Sequence, residues 1–376
     1  MTTPVFYEDV TVGHIEVDAD GPRFIYDRRW QATRGAFPVS IRMPLDRLDH
    51  GPDILVPWLA NLLPEGDPLR TLGRNLGVAT ADVLGLLEAL GRDTAGALSI
   101  GAPRQGASAG YRRIEYDLAL ERIIDDLPRK PFLAGDDGVS MSLAGAQYKL
   151  PVALIDGQPA IPLDGAPSTH ILKPDNENLF GSVQNEALCM VLARRAGLNV
   201  AEVQTGIAGK RTYLLVTRYD RHVHDGSWRR IHQEDFCQAL GKLPAAKYEH
   251  NQSGQPGPGI KEFMALANAH LAPGQALPLL DAVIFNILTT NVDSHAKNYA
   301  LVFPWGGGMP RLAPLYDLMC GAAWDTITKN HAQDIGGQRD GRHIEGRHWL
   351  RMARACGLAG PAVLKQVEAL GRRVLA

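Results

Sequence analysis

The segment between residues 115 and 220 constrains the fold of this chain more than any other part of the sequence. It contains four short runs that are typical of β-strands, "YKLPVALID", "PAIPL", "STHILKP" and "TYLLVTRYD". Between the last two, "SVQNEALCMVLARRAGL" repeats its apolar residues at helical spacing, which predicts a helix after Ser182 and before Gly197. From about residue 230 the pattern is mainly helical, except for a predicted hairpin at residues 300–317. A strand-rich part followed by a helical part predicts an α+β fold with two lobes and a cleft between them.

The first hundred residues predict a separate α+β unit. The run "GHIEVDADGPRFIYD" alternates around Asp20 and Gly21, which is typical of a hairpin, and "FPVSIRMPL" predicts a third strand. Two helices are expected next, in "PDILVPWLANLLPEG" and in "TADVLGLLEALG", the second with Thr80 as its N-cap and Gly91 as its stop. The stretch "IGAPRQGASAGYRR", rich in Gly, Ala and Ser, then predicts a boundary near residue 105.

These patterns divide the chain into three expected parts, residues 1–105, residues 106–225 and residues 226–376. The composition, 45% apolar and 21% charged, is typical of a soluble globular protein. The net charge is −2, so no global positive field attracts nucleic acid or an anionic membrane. The N-terminal sequence lacks the pattern of a signal peptide, and no apolar run approaches the ~20 residues of a membrane helix. We therefore predict a cytoplasmic protein without membrane contact.

The stretch "TTNVDSHAKNYAL" places several ionisable groups directly after the apolar run "LLDAVIFNIL". Asp293 and Asn298 lie in a predicted loop with the D-x-x-x-x-N spacing of a kinase catalytic loop. In phosphoryl transfer a carboxylate accepts the proton of the attacking hydroxyl, and oxygen ligands hold Mg²⁺. Asp317, at the end of the predicted hairpin, offers a further metal carboxylate. Lys297 could contact a phosphate, and His295 could shape the loop or bond a phosphate.

Two further segments carry lysines that a phosphate site would use. In "SMSLAGAQYKL", small residues at positions 144–146 precede Lys149. A backbone that approaches a phosphate closely needs small side chains, and exposed amides with a lysine complete an anion site. Lys173 ends a predicted strand, and Glu186 on the following predicted helix is its expected partner, as in the ATP-binding lysine–glutamate pair of kinases.

Each of these patterns also has an ordinary structural interpretation. The polar cluster is typical of a solvated helix end, the small-residue loop of a tight turn before a strand, and the lysine–glutamate pair of a surface ion pair that stabilises little. A metal-dependent hydrolase that uses Asp293, His295 and Asp317 is an alternative interpretation of the same groups.

Ten segments of the chain, in their order, resemble one known family. They are "NLLPEG", "GRDTAGAL", "SLAGAQYK", "STHILKP", "SVQNEALCM", "VTRYDR", "HQEDFCQALG", "KYEHNQSGQPGPG", "NVDSHAKN" and "PLYD". They resemble the HipA family, the serine/threonine kinase toxins of bacterial toxin–antitoxin modules. The resemblance implies a bilobal protein-kinase-like fold of the HipA type. It makes residues 1–105 the family's N-terminal subdomain, residues 106–225 the nucleotide-binding N-lobe, and residues 226–376 the C-lobe with the catalytic loop.

The resemblance also implies the cofactors ATP and Mg²⁺ and roles for individual residues. Asp293 looks like the catalytic base, and Asn298 and Asp317 look like the Mg²⁺ ligands. Ser142 lies where the family autophosphorylates, which switches the kinase off by expelling the phosphate loop. The implied nucleotide contacts fall into four groups. They are Ala144, Gly145, Ala146, Gln147 and Lys149 in the phosphate loop, Lys173 as the ATP lysine, Thr217, Arg218 and Tyr219 in the hinge that receives adenine, and His295, Lys297 and Tyr316 elsewhere in the site.

For partners, the resemblance implies a small helix-turn-helix antitoxin similar to HipB, with DNA contacted only through the antitoxin complex. It implies a protein substrate, an aminoacyl-tRNA synthetase, whose phosphorylation arrests translation and leads to growth arrest and persistence. The alternative is a catalytically silent pseudokinase that keeps the fold and acts as a binding module.

Overall fold

The computed structural model describes residues 2–103, 110–304 and 306–376, and the predicted boundary near residue 105 lies outside them. The N-terminal unit is an antiparallel sheet of strand order β4-β3-β2-β1-β5, covered by helices. Its strands are β1 (Thr2–Tyr7), β2 (Val10–Asp18), β3 (Gly21–Tyr26), β4 (Asp49–His50) and β5 (Leu98–Ile100). Its helices are α1 (Arg28–Ala32), α2 (Pro52–Ala60), α3 (Gly66–Leu76) and α4 (Val83–Leu90).

The hairpin and both helices predicted in the N-terminal unit are confirmed, since β2 and β3 pair up to Asp18 and Gly21. The predicted cap of α4 is wrong: Asp82, not Thr80, accepts a hydrogen bond from the first turn, and the helix stops at Gly91 as expected. Asp82 is the N-cap because it lies directly before the first helical residue, where its side chain can reach the free backbone amides of the first turn.

The expected strand in "FPVSIRMPL" is also wrong. The backbone amide of Val39 donates to the Tyr26 hydroxyl at 2.8 Å, and that of Ile41 donates to the Glu234 carboxylate at 2.8 Å. Side chains from distant parts of the chain therefore satisfy amides that would otherwise join a sheet ladder. The sequence pattern could not reveal these partners.

The strand-rich middle of the chain forms a second sheet, of strand order β10-β11-β9-β7-β8-β6 with antiparallel neighbours. Its strands are β6 (Gly110–Arg113), β7 (Leu150–Ile155), β8 (Gln158–Leu163), β9 (His170–Pro174), β10 (Val203–Ala208) and β11 (Arg211–Thr217). Two helices accompany it, α5 (Asp117–Asp126) and α6 (Ser182–Arg195). The four predicted strands and the helix between the last two are confirmed, whereas β6, β10 and α5 were not predicted.

The rest of the chain is mainly helical, as expected, and its helices are α7 (Phe236–Ala239), α8 (Ile260–His270), α9 (Ala276–Leu288), α10 (Gly346–Ala355) and α11 (Gly360–Leu375). Short strands accompany them: β12 (Arg221–His224), β13 (Ser227–Arg230), β14 (Gln233–Asp235), β15 (Ala300–Val302), β16 (Arg311–Leu312), β17 (Asn330–Ile335) and β18 (Gln338–Asp340). The predicted hairpin at residues 300–317 is confirmed by the pairing of β15 with β16. A second hairpin, formed by β17 and β18, was not predicted.

Helix α9 lies at the centre of the C-terminal lobe and fixes the chain that follows it. Its residues from Leu279 to Asn286 include an almost unbroken buried run, so the helix is surrounded by protein rather than exposed on one side. The same apolar core reaches α6 and β11 of the strand-rich lobe, which joins the two lobes behind the cleft. Among the described residues, no helix is long and apolar enough to cross a membrane.

Candidate active site

A cavity of about 330 Å³ lies between the two lobes. All the predicted nucleotide, metal and catalytic residues, from Ala144 to Asp317, line it, whereas Ser142 does not. The fold thus brings the three sequence patterns, 144–149, Lys173 and 293–298, into one cleft.

Lys173 makes the central ion pairs of this cleft. Its Nζ lies 2.7 Å from Glu186 Oε1 on α6 and 2.7 Å from Asp317 Oδ1, so the predicted pairing with Glu186 is confirmed. Both Lys173 and Glu186 are buried. Burial disfavours the ammonium, but the two carboxylates outweigh it and raise the pKa of Lys173 above its ordinary value. Burial also raises the pKa of Glu186, and the lysine opposes that rise.

The loop at residues 144–149 has the tight backbone that its small residues predict. Gly145 has φ +104°, a conformation that residues with a side chain rarely adopt, and a Cβ there would lie 2.8 Å from Lys149 Nζ and displace it. Lys149 Nζ donates to the Ala144 carbonyl at 2.6 Å. Burial, followed by repulsion from Lys173, lowers the pKa of Lys149 to about 8. A bound anion would favour the charged ammonium and so offset both effects, which suits a loop that receives phosphate.

Asp293 and Asn298 lie together in the loop after α9. The Asn298 side-chain amide donates to the Asp293 carbonyl at 2.9 Å, which leaves its Oδ1 to offer to a metal. The Asp293 carboxylate accepts a 2.5 Å hydrogen bond from the Tyr248 hydroxyl. Desolvation by the cleft walls raises the pKa of Asp293, and the tyrosine hydrogen bond opposes that rise.

Asp317 adopts a left-handed backbone, φ +59°, which is uncommon for a residue with a side chain and is typical of functional loops. Desolvation opposes its ionisation, but Lys173 and Lys149 outweigh this and hold the pKa of Asp317 well below its usual range. An ionised carboxylate and an amide oxygen are hard ligands of the kind that Mg²⁺ prefers. Asp317 and Asn298 therefore fit the predicted metal.

His295 lines the cleft and is buried. Burial, then repulsion from Lys247, holds the pKa of His295 well below its ordinary value, so the ring is neutral. The described residues give its Nδ1 no hydrogen-bond partner, although this atom is buried. A buried polar atom without a partner is costly, and a ligand in the cleft could satisfy it.

Lys297 was expected to contact a phosphate, but in the structure its ammonium is bonded to protein groups. Its Nζ contacts the side chain of Asn61 at 2.6 Å and Asp235 Oδ2 at 3.1 Å. It therefore anchors the loop to the N-terminal unit, and contact with a phosphate would require these bonds to break.

The predicted hinge passes from β11 along the back of the cleft. The guanidinium of Arg218 is buried and donates to Asp220 at 2.7 Å and to the Thr94 carbonyl at 2.8 Å. Tyr219 stacks on Tyr316 with 5.8 Å between ring centroids and 29° between planes. These two rings give this end of the cleft a flat apolar wall.

Comparison with known proteins accounts for this arrangement. The family model described as the HipA-like C-terminal domain matches residues 141–376, and that of the HipA N-terminal domain matches residues 3–101. The chain belongs to the HipA family. It thus has the HipA version of the kinase-like α+β fold, as the resemblance implied.

Individual HipA relatives match over nearly the full chain. Y4mE of Sinorhizobium fredii, whose name describes it as a kinase, is 36% identical over 97% of this chain and 88% of its own length. The serine/threonine-protein kinase toxin HipA of Shewanella oneidensis is 30% identical over 100% of this chain and 88% of its own length. The solved complex of Shewanella oneidensis HipA, HipB and operator DNA contains a chain with TM-score 0.86 and 29% identity. That match covers 99% of this chain and 88% of that chain.

Two residues of the HipA N-terminal unit support the site and had not been expected from the sequence: Asn61 lines the cleft, and Glu65 bonds to the loops beside it. The Glu65 amide donates to the Gly145 carbonyl at 3.0 Å, and the Glu65 carboxylate lies 2.8 Å from Lys247 Nζ. Asn61 holds Lys297. Both residues lie in the quoted segment "NLLPEG", so that segment was the available signal. Their contacts span 80 residues of sequence or more, which local patterns cannot reveal.

Ser142 lies beside the loop at residues 144–149 and is bonded to the N-terminal unit. Its side chain is fully buried, its Oγ donates to the Leu62 carbonyl at 2.9 Å, and its amide donates to the Asp93 carbonyl at 3.0 Å. A kinase active site could reach this hydroxyl only after the segment has left its place.

Proposed function

We propose that this HipA-family protein is an active ATP-dependent serine/threonine protein kinase and the toxin of a toxin–antitoxin module. The observation that carries the proposal is the placement of Lys173 between Glu186 and Asp317, in the same cleft as Asp293 and Asn298. Protein kinases require the lysine–glutamate pair, the metal aspartate and the catalytic-loop residues together.

In this proposal Asp293 is the general base. An acceptor hydroxyl attacks the γ-phosphorus of ATP, its proton passes to the Asp293 carboxylate, the new O–P bond forms and ADP leaves. Lys149 and Lys173 hold the phosphates, and Asp317 with Asn298 would hold Mg²⁺, which supplies positive charge to the transferring group. The wall of Tyr219 and Tyr316 is suited to the planar adenine.

The direct test is transfer of labelled γ-phosphate from ATP to protein. We expect label on the protein with Mg²⁺ present and none after chelation. A pseudokinase would bind ATP without any transfer, so calorimetric ATP binding with no labelled product would contradict the proposal. Hydrolysis of a phosphodiester without ATP would instead favour the metal hydrolase. The buried lysine–glutamate pair argues against that alternative, because a hydrolase of this type has no need of it.

Autophosphorylation at Ser142 is expected to inactivate the protein. A phosphate adds about −1.5 to −2 charges, and the fully buried site of Ser142 has no room for it. The modified segment should therefore stay out of its place and carry the phosphate loop with it. Mass spectrometry after incubation with ATP should find phosphate on Ser142, and kinase activity should decrease as the phosphorylated fraction increases. The Ser142→Ala variant should stay active under the same treatment.

Ser140 provides the matched control for this modification. It lies on the same segment, and its Oγ donates to the Ala89 carbonyl at 2.9 Å. Ser140→Ala should be phosphorylated and inactivated like the wild type. A protein that remains fully active while Ser142 is phosphorylated would contradict this mechanism.

The partner we propose is a HipB-like helix-turn-helix antitoxin that supplies the DNA contacts. The solved Shewanella complex contains HipA, HipB and operator DNA. The net charge of −2 gives the present chain little attraction for duplex DNA of its own. Gel shifts with an operator fragment should show binding by the antitoxin and by the complex. Tight, sequence-specific binding by the kinase alone at physiological salt would oppose this division.

For the substrate, we propose an aminoacyl-tRNA synthetase, whose phosphorylation would arrest translation and growth. A phosphoproteomic comparison of cells that express the wild type or an inactive variant is the test. Continued translation while the kinase is active in the cell would exclude this substrate.

A further inference from the structure

The acceptor side of the cleft already holds a hydroxyl of the protein itself. The Tyr248 phenol donates its hydrogen bond to Asp293 Oδ1 at 2.5 Å. In the proposed reaction the substrate hydroxyl must donate to that same carboxylate before it attacks. A serine or threonine hydroxyl and the Tyr248 hydroxyl therefore compete for the same acceptor.

The backbone on both sides of Tyr248 is tied to other elements. The Lys247 carbonyl accepts a hydrogen bond from the Ala296 amide at 3.1 Å, within the catalytic loop itself. On the other side, the Glu249 amide donates to the Ala332 carbonyl of β17 at 3.1 Å. The phenol is thus presented to Asp293 from a segment that is fixed at both neighbours.

Further contacts hold Tyr248 itself. Its carbonyl accepts from the Asn251 side-chain amide at 2.8 Å. Gly257 passes so close that a Cβ there would lie 1.8 Å from the same carbonyl oxygen. The tyrosine ring packs edge-on against His295, with 5.1 Å between centroids and 83° between planes. Only glycine fits at position 257, so this glycine allows the close packing that holds the Tyr248 backbone in place.

The phenol also remains a hydrogen-bond donor at any physiological pH. Burial, followed by the charge of Asp293, raises the pKa of Tyr248 above its ordinary value.

We propose that Tyr248 occupies the acceptor position of the active site and must be displaced by the substrate hydroxyl. The inference rests on the proposed kinase function. Asp293 is exposed, but the phenol occupies its Oδ1, and in this way it suppresses wasteful hydrolysis of ATP through that oxygen. A protein substrate must therefore provide enough binding energy to replace this hydrogen bond, which makes Tyr248 a residue that selects between water and a docked acceptor.

The test is ATP hydrolysis by the full chain without any protein acceptor. Tyr248→Phe keeps the ring against His295 but leaves a space of hydroxyl size, which a water molecule can fill. We expect hydrolysis to rise about tenfold, since a hydrogen bond to a charged group is equivalent to roughly an order of magnitude or more in an equilibrium. Tyr116→Phe makes the same chemical change at an exposed tyrosine outside the cleft and should leave hydrolysis unchanged.

The hydrogen bond can also be tested without catalysis. A double-mutant cycle of Tyr248→Phe and Asp293→Ala, measured by urea unfolding of the nucleotide-free protein, should give a non-zero coupling. A zero coupling, or a hydrolysis rate in Tyr248→Phe that is unchanged or lower than in the wild type, would overturn the inference. If every variant binds ATP but none releases phosphate or labels protein, the kinase function itself fails, and a non-zero coupling would then identify the contact as structural.

Discussion

Asp293→Asn is expected to lose phosphoryl transfer by a factor of about 10²–10⁴, the usual contribution of a general base. Asparagine has nearly the same shape and can still accept the Tyr248 hydrogen bond, but it cannot take the proton of the attacking hydroxyl. Labelled transfer should therefore disappear while calorimetric ATP affinity stays close to that of the wild type. The contrast between these two measurements separates the base from a residue that only holds the nucleotide.

Asp20→Asn is the matched control for this variant. It removes the same charge in the exposed turn between β2 and β3, outside the cleft, and transfer should be unaffected. An Asp293→Asn protein that phosphorylates at the wild-type rate would show that another group is the base. Loss of ATP binding together with transfer would mean that Asp293 acts on the nucleotide or on the metal.

Asp93→Asn is expected to cost about 3–5 kcal/mol of unfolding free energy, the usual cost of removing one partner from a buried charge cluster. Asp93 is buried, and its Oδ1 lies 2.8 Å from Arg221 and 3.1 Å from Arg230. Its Oδ2 accepts from the Ser168 hydroxyl at 2.6 Å and lies 3.6 Å from Arg218. Without the carboxylate charge, the buried guanidinium groups would have too few anions around them.

Urea unfolding measures this loss, and Asp156→Asn provides the control. Asp156 pairs with Arg113 at 2.6 Å, but the two side chains are 77% and 59% exposed. Exposed ion pairs stabilise a protein by about 0–1 kcal/mol, so the control should unfold close to the wild-type midpoint. Equal losses in the two variants would mean that the buried cluster has no special role.

The local parts of the fold and site were predictable from sequence. The lysine–glutamate pair is an example: Lys173 and Glu186 are thirteen residues apart, on a strand and the next helix, and the structure brings them to 2.7 Å. The periodicity of each element was sufficient, because a strand followed by a packed helix leaves few ways to orient the two side chains. The buried helix α9 and the polar loop after it were recognisable for the same reason.

The parts that could not be predicted depend on contacts between distant residues. Asp93 meets Arg221 across 128 positions of sequence, and Lys297 meets Asn61 across 236. Each charge has many alternative partners in the sequence, and only the packed structure decides among them. Tyr248 lies in a segment that resembles the family, but its hydrogen bond to Asp293 depends on how the backbone around it is held.

The N-terminal unit contacts both loops that would handle the nucleotide, through the Glu65 amide on Gly145 and through Asn61 on Lys297. This arrangement has a consequence in terms of thermodynamic linkage. A molecule that binds the N-terminal unit, and prefers the arrangement in which these contacts are made, changes the affinity for ATP by some factor. ATP must then change the affinity for that molecule by the same factor, because coupling free energies are reciprocal. For such a molecule, its affinity for the N-terminal unit would therefore depend on whether ATP occupies the cleft.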